Sequence, residues 1–354
     1  MKINITIFLL LIITFTSAFI NRLQNSQPHY LKLVIPKGWP KPARNIFAAN
    51  PLSEEGFQLG RKLFYDARLS KDGSIACASC HQQFAAFTSF DHDFSHGFNN
   101  SFTTRNAPAL FNLAWMPALH WDGGINHIEV QPLAPLTAPN EMAETLENLL
   151  KKIGADASYK KLFKATFGDG TINSQRMLKA LAQFTCSIQS YNSRYDKVMR
   201  GEASFTLSEQ YGYNVFKASC NACHTEPLFT DNSFRNNGLT LHPTLLDMGR
   251  MKVTGELADS LKFKVPSLRN VALTAPYMHD GRLYTLSQVV EHYRCKINNN
   301  QPTIDSLLKN KIAISNQEKV DLLSFLYTLT DDEMLHNKRY SAPAEKAILP
   351  QHVH

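Results

Sequence analysis

The residues with the clearest chemical potential are two copies of one five-residue pattern. Residues 77–81 read Cys-Ala-Ser-Cys-His, and residues 220–224 read Cys-Asn-Ala-Cys-His. Cys-x-x-Cys-His is the attachment signature of c-type haem, in which the two thiols add to the haem vinyl groups and the histidine becomes an axial iron ligand. The sequence therefore predicts two haem c groups with His81 and His224 as proximal ligands. The predicted attachment thiols are Cys77, Cys80, Cys220 and Cys223.

Zinc binding and thiol redox chemistry are the alternatives for these cysteines. The two motifs start 143 residues apart (220 − 77), which is far more than a zinc ribbon uses. A thioredoxin-like pair lies at a strand-to-helix junction, and neither motif follows a predicted strand. Neither alternative explains the histidine after each pair. Of the other two cysteines, Cys186 lies in an apolar helical pattern and is predicted to be buried and inert. A disulfide between Cys186 and Cys295 is the alternative, which the sequence does not decide.

Residues 1–20 have the pattern of a secretory signal peptide. Lys2 precedes an apolar run over residues 7–15, and small residues follow at positions 16–18. An uncleaved membrane anchor is the alternative, and both interpretations place the rest of the chain in an exported, periplasmic compartment. The formal net charge is +7, but no run of lysine and arginine occurs, so we expect no nucleic-acid partner.

About 330 residues remain after the signal, enough for two domains with separate cores. Helical periodicity dominates and no sustained strand alternation occurs. The predicted fold is therefore mainly α, with two cytochrome c-like domains whose haems face the domain interface. We expect an N-terminal haem domain over residues 45–200 and a C-terminal haem domain over residues 201–338. Residues 339–354 are predicted to be a disordered tail.

Helix starts are marked by capping residues. Ser53 is expected to cap a helix through Tyr65, and helical periodicity also covers residues 141–153 and 174–191. Three pairs have capping-box spacing and predict further helix starts. These pairs are Thr206 with Glu209, Thr285 with Gln288, and Ser315 with Glu318.

Motifs around the two haem signatures resemble the bacterial di-haem cytochrome c peroxidase/MauG family, over about residues 53–329. The resemblance implies that the N-terminal haem reacts with peroxide, while the C-terminal haem is a six-coordinate electron-transfer site. The motifs are Asn106-Ala-Pro, Trp121-Asp-Gly, Glu141-Met, Val265-Pro-Ser-Leu-Arg-Asn and Ala275-Pro-Tyr-Met-His-Asp-Gly.

The resemblance assigns roles around the first haem. Glu141, 20 residues after Trp121, matches the distal glutamate that moves a proton between the peroxide oxygens, and Gln131 matches the distal glutamine. Taken alone, Glu141 also suits the first turn of a helix, where the dipole favours a carboxylate. His96 matches a distal ligand of the first haem at rest, although His96 also suits a solvated loop residue.

Between the haems, Trp121 matches the tryptophan that relays electrons, with a structural role as the alternative. The resemblance also implies a calcium ion held by the side chain of Asn106 and the carbonyls of Thr274 and Pro276. Oxygen-only ligation of this kind suits calcium.

The sixth ligand of the second haem has two candidates. Tyr293 lies 14 residues after His279, the spacing of the family's ligand, and it shares a predicted helix face with Leu286, Val289 and Val290. Met278 is the other candidate. Methionine favours a high reduction potential and phenolate a low one; tyrosine here is the MauG-like pattern. We prefer Tyr293.

The predicted function is a periplasmic peroxidase that reduces hydrogen peroxide at the N-terminal haem with electrons passed through the C-terminal haem. A small cytochrome or copper protein is the expected donor, and family members are often homodimers. One alternative is MauG-like, peroxide-dependent oxidation of a residue in a partner protein or of a small molecule. The other is a non-enzymatic di-haem electron-transfer cytochrome.

Overall fold

The structure of the protein, a computed structural model, describes residues 27–43 and 46–343. The predicted signal peptide lies outside the described residues. In the part that the structure covers, regular strands are confined to a two-residue antiparallel ladder of β1 (Phe234–Arg235) and β2 (Phe263–Lys264). No helix in these ranges is long and apolar enough to cross a membrane. The mainly α prediction is confirmed.

The α-helices are numbered in chain order. They are α1 (Glu54–Phe64), α2 (Cys77–Cys80), α3 (Leu133–Thr137), α4 (Leu146–Gly154), α5 (Ala157–Phe167), α6 (Ser174–Ser187), α7 (Arg194–Met199), α8 (Leu207–Ser219), α9 (Met251–Thr254), α10 (Leu286–Glu291), α11 (Asn316–Tyr327) and α12 (Asp332–His336). A π-helical segment, His292–Lys296, continues α10. Short 3-10 helices cover Ala67–Leu69, Gln83–Ala85, Phe98–Asn100, Leu113–Trp115, Leu257–Asp259, Val271–Leu273 and Ser306–Leu308.

The first helix forms as predicted. The Ser53 side chain accepts a hydrogen bond from the Gly56 amide at 3.1 Å and so caps α1. Phe57 and Phe64 are buried on its inner face. At Gly60 a Cβ atom would lie 2.0 Å from the Ala180 carbonyl oxygen of α6. Glycine therefore permits the close packing of α1 on α6 that supports the N-terminal half.

Two predicted helices have different bounds. The helix expected over residues 141–153 begins at Leu146, because Thr145 is the N-cap and its side chain accepts a hydrogen bond from the Asn148 amide at 3.2 Å. The interpretation of Glu141 as a first-turn residue is therefore wrong. The helix expected over residues 174–191 ends at Ser187, and the chain is extended at Ile188.

In the second half, the three capping boxes are confirmed at the starts of α8, α10 and α11. Helices α8 and α11 pack closely at Gly212, where a Cβ atom would lie 1.9 Å from the Asp321 carbonyl oxygen. Helix α8 runs directly into Cys220, so this packing positions the second haem motif. The buried face of α11 contains Leu322 and Phe325.

Apolar side chains form two clusters. The first contains buried residues between Phe57 and Ile188, and the second contains residues between Tyr195 and Leu329. Met334 and Leu335 of α12 return to the first cluster. The predicted tail also begins in ordered contact with the N-terminal half: the Arg339 guanidinium donates to Glu54 at 2.6 Å, and the Tyr340 hydroxyl donates to the Ser187 carbonyl at 2.8 Å. Residues 344–354 of that tail lie outside the described ranges.

Candidate haem sites

The first Cys-x-x-Cys-His motif opens onto a cavity of about 60 Å³, here called the N-terminal cavity. Cys77, Cys80 and His81 line it. The cavity wall also brings together the residues assigned by resemblance to the distal face of the first haem. These are His96, Gln131 and Glu141, and Pro135 lines the same wall.

The local backbone orients His81 as a ligand. Helix α2 is a single turn, and the His81 amide donates to the Cys77 carbonyl at 2.9 Å. The His81 Nδ1 donates to the Phe87 carbonyl at 2.8 Å, which leaves Nε2 for the cavity. Burial lowers the pKa of His81 to about 4. The ring is therefore neutral and held by a carbonyl, the usual arrangement of an imidazole that binds a metal.

Glu141 and the His96 loop are joined through their backbones. The Phe98 amide donates to the Glu141 carbonyl at 2.7 Å, and a Cβ atom on Gly97 would lie 2.0 Å from the Asn140 carbonyl. Burial raises the pKa of the Glu141 carboxyl. His96 is exposed and lies against Phe102, with ring centroids 4.7 Å apart. The loop therefore brings an exposed histidine and a buried carboxyl to the same cavity.

His120 is a residue that sequence reasoning missed. Its Nε2 lies 3.5 Å from Nε2 of Gln131, and its ring lines the cavity of the second motif. The backbone of His120 is left-handed (φ 64°), a costly conformation for a residue other than glycine. His120 thus connects the N-terminal cavity to the wall that carries Trp121. Nothing in its sequence spacing marks this contact.

The second motif opens onto a larger cavity of about 270 Å³, here called the C-terminal cavity. Cys220, Cys223 and His224 line it. The His224 Nδ1 is shared between the carbonyls of Phe229, at 3.2 Å, and Pro266, at 3.1 Å. His224 is therefore oriented by backbone carbonyls in the same way as His81, and burial lowers its pKa.

Both candidates for the sixth ligand reach the C-terminal cavity. Tyr293 lies in the π-helical segment and lines the cavity together with Leu286, Val289 and Val290 of α10. Their expected common face is confirmed. Met278 also lines the cavity, and its sulfur accepts a hydrogen bond from Nδ2 of Asn237 at 3.4 Å. Short π-helical segments often occur at functional positions, and Tyr293 lies in such a segment whereas Met278 does not.

The tryptophan and the three residues assigned to calcium are brought together on the wall of the C-terminal cavity. The Trp121 indole donates to the Asn106 carbonyl at 2.8 Å. The Asn106 Nδ2 donates to the carbonyls of His92 and Asp93, both at 3.2 Å, so its Oδ1 faces away from them. Thr274 and Pro276 line the same wall. The trio supplies the oxygen donors that calcium prefers.

A short segment separates the two cavities. Asn106, Pro108 and Phe111 line the C-terminal cavity, while Leu110 lines the N-terminal cavity. The two cavities are therefore neighbours across one extended segment. The donor set fits haem c at both, because each combines two thiols at the wall with a neutral imidazole held by carbonyls.

The remaining cysteines do not pair. Cys186 is buried in the first cluster, and burial raises the pKa of its thiol. Cys295 is exposed, and its thiol donates to the Glu291 carbonyl at 3.3 Å. The predicted burial of Cys186 is confirmed, and Cys186 and Cys295 are separate free cysteines.

The chain is similar to known proteins over most of its length. Residues 54–204 match the profile of a family described as di-haem cytochrome c peroxidase. Methylamine utilization protein MauG of Methylophilus methylotrophus is 36% identical over 296 residues, covering 79% of this chain and 84% of that protein. Cytochrome c551 peroxidase of Nitrosomonas europaea is 34% identical over 305 residues, covering 83% of this chain and 85% of that protein.

A solved structure is also similar. The crystal structure of a MauG-like protein associated with microbial copper homeostasis superposes with a TM-score of 0.82 at 35% identity, covering 88% of this chain and 99% of that chain. The chain belongs to the di-haem cytochrome c peroxidase/MauG family and is an oxidoreductase that uses hydrogen peroxide.

Proposed function

We propose that hydrogen peroxide is reduced at the haem held by Cys77, Cys80 and His81, with electrons that arrive by way of the haem held by Cys220, Cys223 and His224. The observation that carries this proposal is the convergence of His81, Gln131 and Glu141 on one cavity. A bound haem supplies an iron that accepts peroxide oxygen and exchanges electrons. The protein supplies orientation, proton transfer and exclusion of water.

Glu141 moves the proton. Burial raises the pKa of its carboxyl, which brings the group closer to the pH at which acid and base forms are both available. The ionised carboxylate takes a proton from the bound peroxide and returns it to the departing oxygen. Gln131 orients the peroxide by hydrogen bonding, and its contact with His120 at 3.5 Å fixes the amide.

His96 limits access to this site. It lines the N-terminal cavity from an exposed loop, as does His81 from the first haem motif. In our proposal His96 binds the first haem at rest and leaves when the second haem is reduced. Its exposure supports such movement, because few packing contacts would be lost.

Electrons pass between the haems along the wall that carries Trp121, which is fixed by its hydrogen bond to Asn106. Calcium, held by Asn106 with the carbonyls of Thr274 and Pro276, stabilises this wall. The external donor is a small cytochrome or copper protein. We propose a periplasmic location on the basis of residues 1–20, with a haem domain over residues 45–200 and another over residues 201–338.

Peroxide turnover with a reduced one-electron donor tests this proposal. In Glu141→Gln the rate should fall at least about 100-fold, the usual range for loss of a general acid-base group, with both haems still attached. The matched control is Glu147→Gln, at an exposed glutamate of α4. Equal rates in wild type and Glu141→Gln would remove Glu141 from the mechanism.

A second function is favoured by one observation, the position of Tyr293 in the C-terminal cavity. A phenolate ligand lowers the reduction potential of haem iron and stabilises its oxidised forms. With Tyr293 bound, the protein would hold oxidising equivalents from peroxide and oxidise a residue of a partner protein, as a MauG-like enzyme. The identity of the ligand at this position therefore separates the two functions.

A further inference from the structure

Two tyrosines beside the second haem motif share one carboxylate oxygen. The Tyr195 hydroxyl donates to Oε1 of Glu226 at 2.6 Å, and the Tyr213 hydroxyl donates to the same oxygen at 3.0 Å. The other carboxylate oxygen, Oε2, accepts from Lys217 Nζ at 2.5 Å. Tyr195 is 4% exposed, whereas Tyr213 is half-buried and Lys217 is exposed. The pair therefore extends from the interior to the surface.

Aromatic contacts connect this pair to the proximal side of the second haem. The His224 imidazole donates to the Phe229 carbonyl at 3.2 Å. The ring centroids of Phe229 and Tyr195 are 4.8 Å apart, and those of Tyr195 and Tyr213 are 6.4 Å apart. A row of contacts thus leads from the haem ligand, through the backbone carbonyl and then the ring of Phe229, to Tyr195 and the half-buried tyrosine of α8.

We propose that Tyr195, Glu226 and Tyr213 form a redox relay that carries electrons from the protein surface to the second haem. This inference rests on the proposed function, because hydrogen peroxide at the first haem is the oxidant. It identifies the exchange point with the external one-electron donor as the surface of α8 at Tyr213. The shared carboxylate distinguishes the relay from simple aromatic packing, which needs no proton acceptor.

Each transfer moves one electron and one proton. Tyr195 would give one electron toward the second haem after peroxide has reacted, and its phenol proton would move to Glu226, which leaves a neutral tyrosyl radical. Tyr213 then gives an electron to Tyr195; Glu226 returns its proton to Tyr195 and takes the proton of Tyr213. An external one-electron donor reduces the Tyr213 radical, and Glu226 gives the proton back. The tyrosines and the carboxylate are restored.

The protonation states suit this sequence. Burial, with the nearby Glu226 carboxylate, raises the pKa of Tyr213 to about 12 and raises that of Tyr195 further. Both are neutral phenols at physiological pH, so loss of an electron requires loss of a proton. The carboxylate 2.6 Å from one hydroxyl and 3.0 Å from the other provides an acceptor for both.

The test is freeze-quench EPR of the holoprotein with one haem reduced beforehand, mixed with hydrogen peroxide without further donor and followed in parallel by haem absorption. We expect a tyrosyl signal that narrows when ring-deuterated tyrosine is incorporated. In Tyr195→Phe the signal should be lost and the oxidised haem state should persist longer. In Tyr213→Phe the radical should remain on Tyr195. The matched control is Tyr211→Phe, at an exposed tyrosine of the same helix, which should behave as wild type.

The outcomes separate this inference from the proposed function. If the haem spectra of the protein with one haem reduced do not respond to peroxide, the proposed function fails. If the haems respond but no tyrosyl signal forms, or if the signal and haem decay are unchanged in both Tyr195→Phe and Tyr213→Phe, the relay is wrong and the proposed function stands. Should Tyr195→Phe fail to fold, Tyr213→Phe and Tyr211→Phe still decide the question. An EPR signal whose shape changes in Tyr213→Phe and not in Tyr211→Phe supports the relay. A signal that is unchanged in Tyr213→Phe, or lost in Tyr211→Phe, places the radical elsewhere and contradicts it.

Discussion

At the scale of single residues, Glu141 predicts a pH dependence. Burial raises the pKa of its carboxyl above the ordinary glutamate value of about 4.3. Because the ionised form must accept the first proton of peroxide, the second-order rate constant for peroxide should fall as the pH drops through this raised pKa. Stopped-flow measurement of the haem response across pH checks the prediction. Glu141→Gln should be slow and lack this acid limb; an identical limb in the variant would assign it to another group.

Substitution at position 293 should change the second haem. If Tyr293 is the sixth ligand, Tyr293→Phe should raise the reduction potential of that haem, because a phenolate donor that stabilises ferric iron is lost. A spectroelectrochemical titration measures this change. Met278→Leu is the matched variant, since Met278 lines the same cavity, and it should leave the potential close to wild type. A response to Met278→Leu and none to Tyr293→Phe would reverse the assignment.

The positions of candidate residues could be predicted where they stand at a fixed spacing from a motif. Both attachment motifs are contiguous, and Gln131, Glu141 and Tyr293 were found at fixed distances from other motif residues; all three line the expected cavities. His120 could not be predicted, because its contact with Gln131 depends on a left-handed backbone. The shared carboxylate of Tyr195 and Tyr213 likewise joins three separate segments that have no common pattern.

At the scale of elements, close packing of α8 on α11 predicts a stability change. A Cβ atom on Gly212 would lie 1.9 Å from the Asp321 carbonyl oxygen, and backbone cannot move aside easily. Gly212→Ala should therefore destabilise the protein by about 1–3 kcal/mol and disturb the second haem motif, which directly follows α8. Chemical denaturation of the holoprotein measures the loss.

The control for this prediction is Gly154→Ala in α4, where no atom lies within 4 Å of an added Cβ. Alanine there should be neutral or slightly stabilising, because it restricts the unfolded chain. Equal stability of the two variants would contradict the close approach of α8 and α11.

Helix starts were more predictable than helix faces. Capping boxes are local, and Thr206, Thr285 and Ser315 each cap as expected. The face of α11 was less accessible to sequence reasoning, because Val320 and Tyr327, which have helical spacing with Leu323 and Leu326, are 54% and 58% exposed. Only the position of the neighbouring helices decides which apolar residues are buried.

At the scale of the whole molecule, a buried ion pair links the start of the C-terminal half to the C-terminal cavity. Arg269 is 1% exposed and donates through two nitrogens to Asp196 of α7, each at 2.8 Å. Its guanidinium also lies 4.7 Å from the Trp39 ring. Arg269→Met should cost about 3–5 kcal/mol, because it leaves a buried carboxylate without a partner. Thermal or chemical unfolding measures this cost.

Arg200→Met is the control for the ion pair, since Arg200 and Glu202 are a surface pair with side chains 38% and 53% exposed. Its loss should cost about 0–1 kcal/mol. Burial acts to raise the pKa of Asp196, but the hydrogen bonds from Arg269 hold it below the ordinary value. This contribution to stability is therefore present at neutral pH and is lost as the pH falls below the carboxyl range. Comparable losses of stability in Arg269→Met and Arg200→Met would contradict the prediction that the buried ion pair contributes more than the surface pair.

The central claim is that peroxide reacts at the first haem and that the second haem supplies electrons. It is tested most directly by adding one equivalent of hydrogen peroxide to the holoprotein, once fully oxidised and once with one haem reduced, with absorption and EPR recorded together. With His96 bound at rest, we predict no reaction in the oxidised form and rapid reaction after reduction of one haem. A long-lived state with both haems oxidised beyond ferric, formed directly from the oxidised protein, would contradict this account and support the MauG-like function.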